Sequence, residues 1–430
     1  MAAPSQNVEE DVIFCDIEAT VATGFEQTAR EEVIEKLGFD VRSSRGKITI
    51  RTPISQVPRI LKLGTIDNCR VVIKHIRGFE FPKDQAESLQ RVRELVKDID
   101  WQHGIEVWNK IDEIPESERV VVTENMSKPL KAESDLSSPE KTHEPESKSE
   151  DSAKISEKLQ AKYEHDSTKP KFRVTCHRVG ECHKFDSTNM GANFGGAIYT
   201  YFGWNVDLTK FDIEVILNID WDDVTVCIGL TKESLHKRLL TNFGMTTLRP
   251  TIAYNMLRLC EIKCGDVVCD PMCGSGSIPI SASVSWPRAI HMCGEIYGKA
   301  IEKTQDNLVT LNEKKKSNNR RLVDLDIYQW DATRLPLRDG CVDVFITDLP
   351  FGRKFGNKMN NQKLYPLVLE ELARVTRKKT GRACFITEDK RCMTKVILLI
   401  QESILWQRRK VLAINMGGID TAVYVLHRTD

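Results

Sequence analysis

From residue 253 onward, apolar strand-like runs and amphipathic helical patterns alternate strictly, and four successive strand runs end in an acid. The run in "DVVCDPMCGSG" closes on Asp270, "AIHMCGEI" on Glu295, "IYQWDA" on Asp331 and "VDVFITDLPFG" on Asp348. Strict alternation folds as a doubly wound, mostly parallel sheet, which takes ligands at the carboxyl ends of its strands. Any one of these acids reads as an ordinary polar strand end. Four at one sheet edge form a site. The expected domain spans 253–430 and closes with a hairpin through "RRKVLAINMGG" and "TAVYVLHRT".

The preceding half has a different rhythm. "DIEATVATGFEQTAREEVIEKLG", "ITIRT", "ISQVPRILKLG" and "DNCRVVIKHIRGFEF" give β-α-β-β-α-β, a small ferredoxin-like α+β region over 11–114 behind a flexible tail, 1–10. Residues 115–170 are rich in Glu, Lys, Ser and Pro and nearly free of aromatics, the composition of a disordered insert. A second α+β module follows over 171–232, joined by a linker, 233–252, to the alternating domain. The fold class is therefore α/β.

Lys plus Arg equals Asp plus Glu, 62 each, so any grip on a polyanion must be local. No apolar run is long enough to span a bilayer, and the start lacks a secretion signal. Thirteen cysteines without framework spacing fit reduced thiols in a cytoplasmic, or else nuclear, protein. Cys260, Cys264, Cys269 and Cys273 lack the tight knuckle spacing of zinc sites, so no metal is expected.

The glycine turn in "DPMCGSG" lets a ligand approach the backbone at Gly274 and Gly276, just before a helix N-terminus. It lacks both the Lys-Ser/Thr ending of a phosphate loop and the three-glycine dinucleotide spacing. Glu295, at the second strand end, is placed to accept ribose hydroxyls, and Asp331 to accept from an adenine amino group. This constellation resembles the S-adenosylmethionine site of class I methyltransferases. The "DLPF" at 348–351 resembles the Asp/Asn-Pro-Pro-Tyr/Phe motif of enzymes that methylate exocyclic nitrogens. Such a nitrogen is a poor nucleophile because its lone pair is delocalised into the ring. Accepting its protons with Asp348 and the Leu349 carbonyl would concentrate charge on nitrogen, while Phe351 stacks on the base. A carboxylate can take both adjacent N–H donors of guanine, which favours guanine over adenine.

With "DPMCGSG", "DLPFG", the preceding "FGMTTLRPTIA" and a split N-terminal half, the chain resembles the THUMP-domain RNA methyltransferases over nearly all its length outside the insert. The resemblance implies an N-terminal THUMP module over 171–232 and a Rossmann-like class I methyltransferase domain. It implies transfer of methyl from S-adenosylmethionine to guanosine N2, at position six of the tRNA acceptor stem, with the THUMP module gripping the tRNA 3′ end. It places Asp270, Cys273, Gly274, Gly276, Glu295, Asp331 and Thr247 on the cofactor, and Asp348, Leu349, Pro350 and Phe351 in catalysis. Three departures stand out: Ser281 stands where relatives have a Glu-Ala pair on the first helix, the second-strand acid is Glu295 rather than Asp with no Asn after it, and Leu349 replaces the first proline of the motif, where it would loosen the turn.

For RNA contact the candidates are Arg173, His177, Arg178 and Lys184, beside His183 around one strand and turn, and Arg353 and Lys354 just after the motif. A fragment starting near Phe243 is expected to fold and bind cofactor alone. Relatives work with a small zinc-binding activator subunit. The third strand, with Leu325, Ile327 and Trp330, is an apolar edge on which that subunit would add a strand to give a heterodimer. The rival readings are a glutamine-amide protein methyltransferase, which leaves the N-terminal half unexplained, and a non-catalytic RNA-binding subunit, which leaves the four acids unexplained.

Overall fold

The computed structural model describes residues 12–111, 166–242, 247–352, 358–402 and 405–429. The tail 1–10 and nearly all of the insert lie outside these residues. Residues 166–170, expected within the insert, are already structured: Asn205 Nδ2 donates to the Asp166 and Lys169 carbonyls at 2.6 and 2.8 Å. A buried amide with that many partners outweighs the polar composition of the segment.

The first elements are β1 (Phe14–Thr20), α1 (Glu26–Leu37), β2 (Val41–Ser44), β3 (Lys47–Pro53), a short α2 (Val57–Ile60) and β4 (Asn68–Ile76), the β-α-β-β-α-β order expected. Helices α3 (Gln85–Glu94) and α4 (Trp101–Asn109) follow, each N-capped by an aspartate. Asp84 accepts from the Glu87 amide at 3.0 Å, and Asp100 from that of His103 at 3.1 Å. Then come β5 (Lys171–Val179), α5 (Ser187–Phe202), β6 (Asn205–Val206), β7 (Ile213–Asp220) and β8 (Asp223–Gly229). The eight strands form one sheet in the order β2-β3-β1-β4-β8-β7-β5-β6. Gly191 and Gly195 let α5 settle on Cys176 and Val174, so the even-numbered face of β5 is covered by helix.

The C-terminal part runs α6 (Pro250–Leu259), β9 (Val267–Asp270), α7 (Ser277–Ser285), β10 (Ile290–Glu295), α8 (Gly298–Ser317), β11 (Asp326–Gln329), β12 (Val344–Asp348), α9 (Lys358–Val375), β13 (Arg382–Thr387), α10 (Lys390–Glu402), β14 (Trp406–Met416) and β15 (Ile419–Arg428). Its seven strands lie in the order β11-β10-β9-β12-β13-β15-β14. Strands β9 to β13 are parallel; β15 and β14 close the sheet antiparallel. The order reverses between β9 and β12, which puts the ends carrying Asp270 and Asp348 side by side at the switch point.

The chain divides into two compact units, and the division does not follow the sequence halves. Of the described residues, one unit holds those within 12–18, 49–62, 68–111 and 166–232; the other holds those within 19–48, 63–67, 233–242, 247–352, 358–402 and 405–429. Within the second, α1 and residues 63–67 clasp α6. Glu32, fully buried, accepts from the Gly64 amide, the Thr65 amide and hydroxyl, the Tyr254 hydroxyl and Lys36 Nζ, all at 2.7–3.2 Å. Burial pushes its carboxyl up, but Lys36, Thr65 and Gly64 outweigh it and hold the group below its ordinary range. A side chain on Gly64 would strike the Tyr254 ring at 2.6 Å. Asn255 donates to the Thr65 carbonyl at 3.1 Å and Thr251 to Asp67 at 2.5 Å. The methyltransferase-like unit is thus built from both ends of the chain.

Candidate active site

The glycine turn after β9 is fixed from two sides. Asp270 caps it by accepting from the Met272 amide at 3.1 Å, and the Cys273 amide donates to the Gly294 carbonyl at 2.9 Å. From α8, Thr304 donates to the Gly274 carbonyl at 2.9 Å and Asn307 to the Ser275 carbonyl at 3.0 Å. Thr247 shares a 2.7 Å hydrogen bond with the Ser275 hydroxyl. Gly274 and Gly276 have φ of +54° and +86°; a Cβ on Gly276 would meet Thr304 at 2.8 Å, whereas the space above Gly274 is open. Asn307 and Thr304 escaped the sequence reading, since polar residues on a long, mostly polar helix read as surface.

Glu295 faces this turn. Its two oxygens accept from the Gly274 and Ile296 amides at 3.1 and 2.9 Å, which leaves acceptor capacity for hydroxyl donors. Asp331 is exposed, two residues past the end of β11, and Oδ1 caps its own turn by accepting from the Thr333 amide and hydroxyl, both at 2.8 Å. Ser281 is fully buried and bonded to the Ser277 carbonyl of its own helix at 2.7 Å.

At the switch point two carboxyls are strongly perturbed. Burial, with a smaller push from Glu295, raises Asp270 to about 7 against the Thr347 hydroxyl and the Met272 amide. Burial and then the neighbouring Asp270 raise Asp348 well above the carboxylate range. Asp348 Oδ1 is sealed from solvent and has no hydrogen-bond partner among the described residues. An orphaned buried acceptor beside a second buried acid suits a ligand that brings N–H donors on one side and positive charge on the other.

The motif turn is tied to β13. Leu349 is buried in the core, and its amide donates to the Ile386 carbonyl at 3.0 Å, continuing the ladder that pairs Asp348 with Ile386. The expectation of a loosened turn is corrected: the replacement of proline restores an N–H, and that N–H is used. Pro350 and Phe351 are half-buried. Arg353 and Lys354 lie outside the described residues.

The expected basic cluster on β5 is not one patch. Alternation along the strand puts Arg173 and Arg178 on opposite faces. Glu214, opposite Arg173 in register, accepts from its guanidinium at 2.8 Å, and the same group stacks 3.9 Å over Phe211. Arg178 turns back to the Gly180 carbonyl at 2.5 Å. Desolvation and the Arg70 cation hold His177 below the ordinary histidine range. Lys184 is exposed.

At the far edge β11 pairs with β10, and no strand lies beyond it among the described residues. Trp330 is not part of that edge. It is buried, donates to the Pro271 carbonyl at 3.1 Å and occupies the space left by Gly294. Leu325 packs with Leu240, Ile280, Leu311 and Val323, while Tyr328 and Leu322 are exposed.

A family profile described as an RMKL-like methyltransferase domain matches residues 238–421, and the THUMP domain profile matches 150–229. The tRNA (guanine(6)-N(2))-methyltransferase THUMP3 of Bos taurus is 37% identical over 98% of this chain and 90% of its own. The chain belongs to the THUMP-domain RNA methyltransferase family. A second THUMP-domain methyltransferase, the Bos taurus U6 snRNA (guanine-N(2))-methyltransferase THUMPD2, is 30% identical over 51% of this chain and 41% of its own. In fold, the THUMP-domain architecture matches the crystal structure of TrmN from Thermus thermophilus. That match has a TM-score of 0.68 at 18% identity and covers 97% of this chain and all of that one.

Proposed function

We propose that this chain transfers a methyl group from S-adenosylmethionine to the exocyclic N2 of guanosine 6 in the acceptor stem of tRNA. The observation that carries the reading is Asp348: a half-buried carboxyl group whose Oδ1 is sealed and without a partner among the described residues, at the switch point of a methyltransferase sheet, in a chain 37% identical to a tRNA (guanine(6)-N(2))-methyltransferase. The residues fit the cofactor. Glu295 keeps acceptor capacity for ribose hydroxyls, the open space over Gly274 admits a ligand against the backbone, and the buried Asp270, next to Glu295 and Asp348, would be relieved by a ligand that brings positive charge. Cys273, Gly276, Thr247 and Asp331 shape the same edge. S-adenosylmethionine, when bound, supplies an electrophilic methyl group.

The chain's own part is to prepare the nitrogen. Asp348 accepts an N–H from the guanine edge and so raises charge on N2 as the new bond forms, a stabilisation that grows toward the transition state. Phe351 stacks on the base and holds it in line. The donors also meet the orphaned Oδ1, so base binding relieves a cost the free enzyme carries. The THUMP module grips the tRNA 3′ end, with Lys184 of the module and Arg353 and Lys354 after the motif as phosphate contacts. A tritiated-methyl assay on unmodified tRNA, followed by nucleoside analysis, tests this. N2-methylguanosine at position six is expected; label that enters protein and survives ribonuclease, or no label in tRNA, would overturn it.

The partner and setting complete the proposal. A small zinc-binding activator subunit adds a strand to β11 and covers Ile327, Tyr328 and Leu322. The edge position of β11 among the described residues supports this, as does the exposure of Tyr328 and Leu322. All thirteen cysteines are free thiols, in keeping with a cytoplasmic site of action.

A further inference from the structure

The turn that carries the acceptor groups is held by a side chain outside the motif. Tyr365, on α9, is fully buried, and its hydroxyl donates to the Pro350 carbonyl at 2.6 Å. That hydroxyl has a single proton, so at its second contact, 2.7 Å from Thr387 Oγ1, it must accept. The Thr387 hydroxyl therefore donates to Tyr365, and it in turn accepts from the Asp389 amide at 2.9 Å. The directions are forced: Asp389 N–H to Thr387, Thr387 to Tyr365, Tyr365 to the Pro350 carbonyl. Each link polarises the next. Burial also pushes the phenol up, which keeps it protonated and a donor.

The peptide groups on either side of the Leu349 carbonyl are thus both fixed, one directly by β13 and the other by α9 through Tyr365. The Leu349 amide is held by the Ile386 carbonyl, and the Pro350 carbonyl by Tyr365. We infer that Tyr365 is a positioning residue for methyl transfer, which with Thr387 sets the orientation of the turn after Asp348 and so the aim of its acceptors at the target amine. It touches neither base nor cofactor. This inference rests on the methyltransferase reading above.

Two near-isosteric variants, Tyr365→Phe and Thr387→Val, with the double variant, test it on the full chain. Tyr365→Phe should lower kcat about tenfold, the loss of one well-placed hydrogen bond expressed in the transition state. KM for tRNA and binding of S-adenosylhomocysteine should stay within about twofold. Thr387→Val should lower kcat less, and the double variant should be no worse than Tyr365→Phe alone, because Thr387 acts through the tyrosine. Thr387→Ser should restore wild-type kcat. Losses that multiply in the double variant, or a Tyr365→Phe change seen in KM with kcat intact, would overturn the inference. If Tyr365→Phe does not fold, the Thr387→Val and Thr387→Ser pair decides: a kcat equal to wild type in both overturns the relay. Wild-type chain that transfers no methyl to any RNA would instead remove the functional reading itself.

Discussion

Replacing Leu349 by proline restores the residue usual at this place in the related motifs, yet it should damage this protein. Proline has no N–H, so the bond to the Ile386 carbonyl is lost and that buried carbonyl is left without its donor. Losing the bond costs about 1 kcal/mol and stranding a buried acceptor about 1–3 kcal/mol. The leucine side chain, 1% exposed and packed in the main core cluster, adds a partly unfilled space. Asp348 is already extended in β12, so the restriction proline places on the residue before it adds no cost. The sum is about 2–4 kcal/mol. For a unit of 150–250 residues, each kcal/mol lowers Tm by about 2–4 °C. Leu349→Pro should therefore melt roughly 5–15 °C lower and lose at least about tenfold in kcat as the turn shifts. Thermal melts with and without S-adenosylhomocysteine, beside single-turnover methylation, read both quantities. A variant that melts within 1 °C of wild type, or methylates faster, would refute the assignment of that amide.

Asp348→Ala should slow methyl transfer at least about a hundredfold while S-adenosylhomocysteine affinity stays near wild type; affinity falling as far as rate would move Asp348 into the cofactor pocket. Because Asp270 sits near 7 in the folded chain and about 4 unfolded, its contribution to stability is fully present below about pH 4 and fades as pH rises through about 7, up to about 4 kcal/mol. Asp270→Asn should flatten the fall of Tm between those limits, leaving the part due to Asp348, and an unchanged slope counts against the shift. Charge at the edge, Ile327→Glu with Tyr328→Lys, should abolish co-purification with a small activator subunit while the melt is unaltered; retained co-purification would place the partner elsewhere. A chain beginning at residue 243 should aggregate, since Tyr254 loses Glu32 and Asn255 loses Thr65; a soluble, cofactor-binding fragment would show the clasp to be dispensable.

That last expectation reverses the one drawn from the sequence, and the reason is instructive. The four acids were legible because a strand announces its end within a few residues, and parallel alternation brings those ends to one edge. Helices α3 and α4 went unread despite the aspartate caps at Asp84 and Asp100, whose signal needs the following periodicity to be weighed with it. Glu32 could not be read at all. A glutamate in "REEVIEKLG" looks like solvent-facing charge, and its partner Tyr254 is 222 positions away. Tyr365 was hidden in the same manner, as one more aromatic on the buried side of α9. Arg173 looked like an RNA contact because Glu214 reaches it only through sheet register.

The clasp also orders events in time on the ribosome. Glu32 emerges 222 residues before Tyr254, a delay of about 10–45 s at ordinary elongation rates. Throughout that interval α1 has no α6 to hold, while the strands from 68 to 229 emerge one after another and become available to pair. A nascent chain that stalls between residues 230 and 250 would carry all the strands of its eight-stranded sheet but leave the Glu32 carboxylate with no Tyr254 to bind. Translation arrest in this window therefore leaves α1 without the helix whose tyrosine shares the burial of Glu32, so the clasp closes only once α6 has emerged.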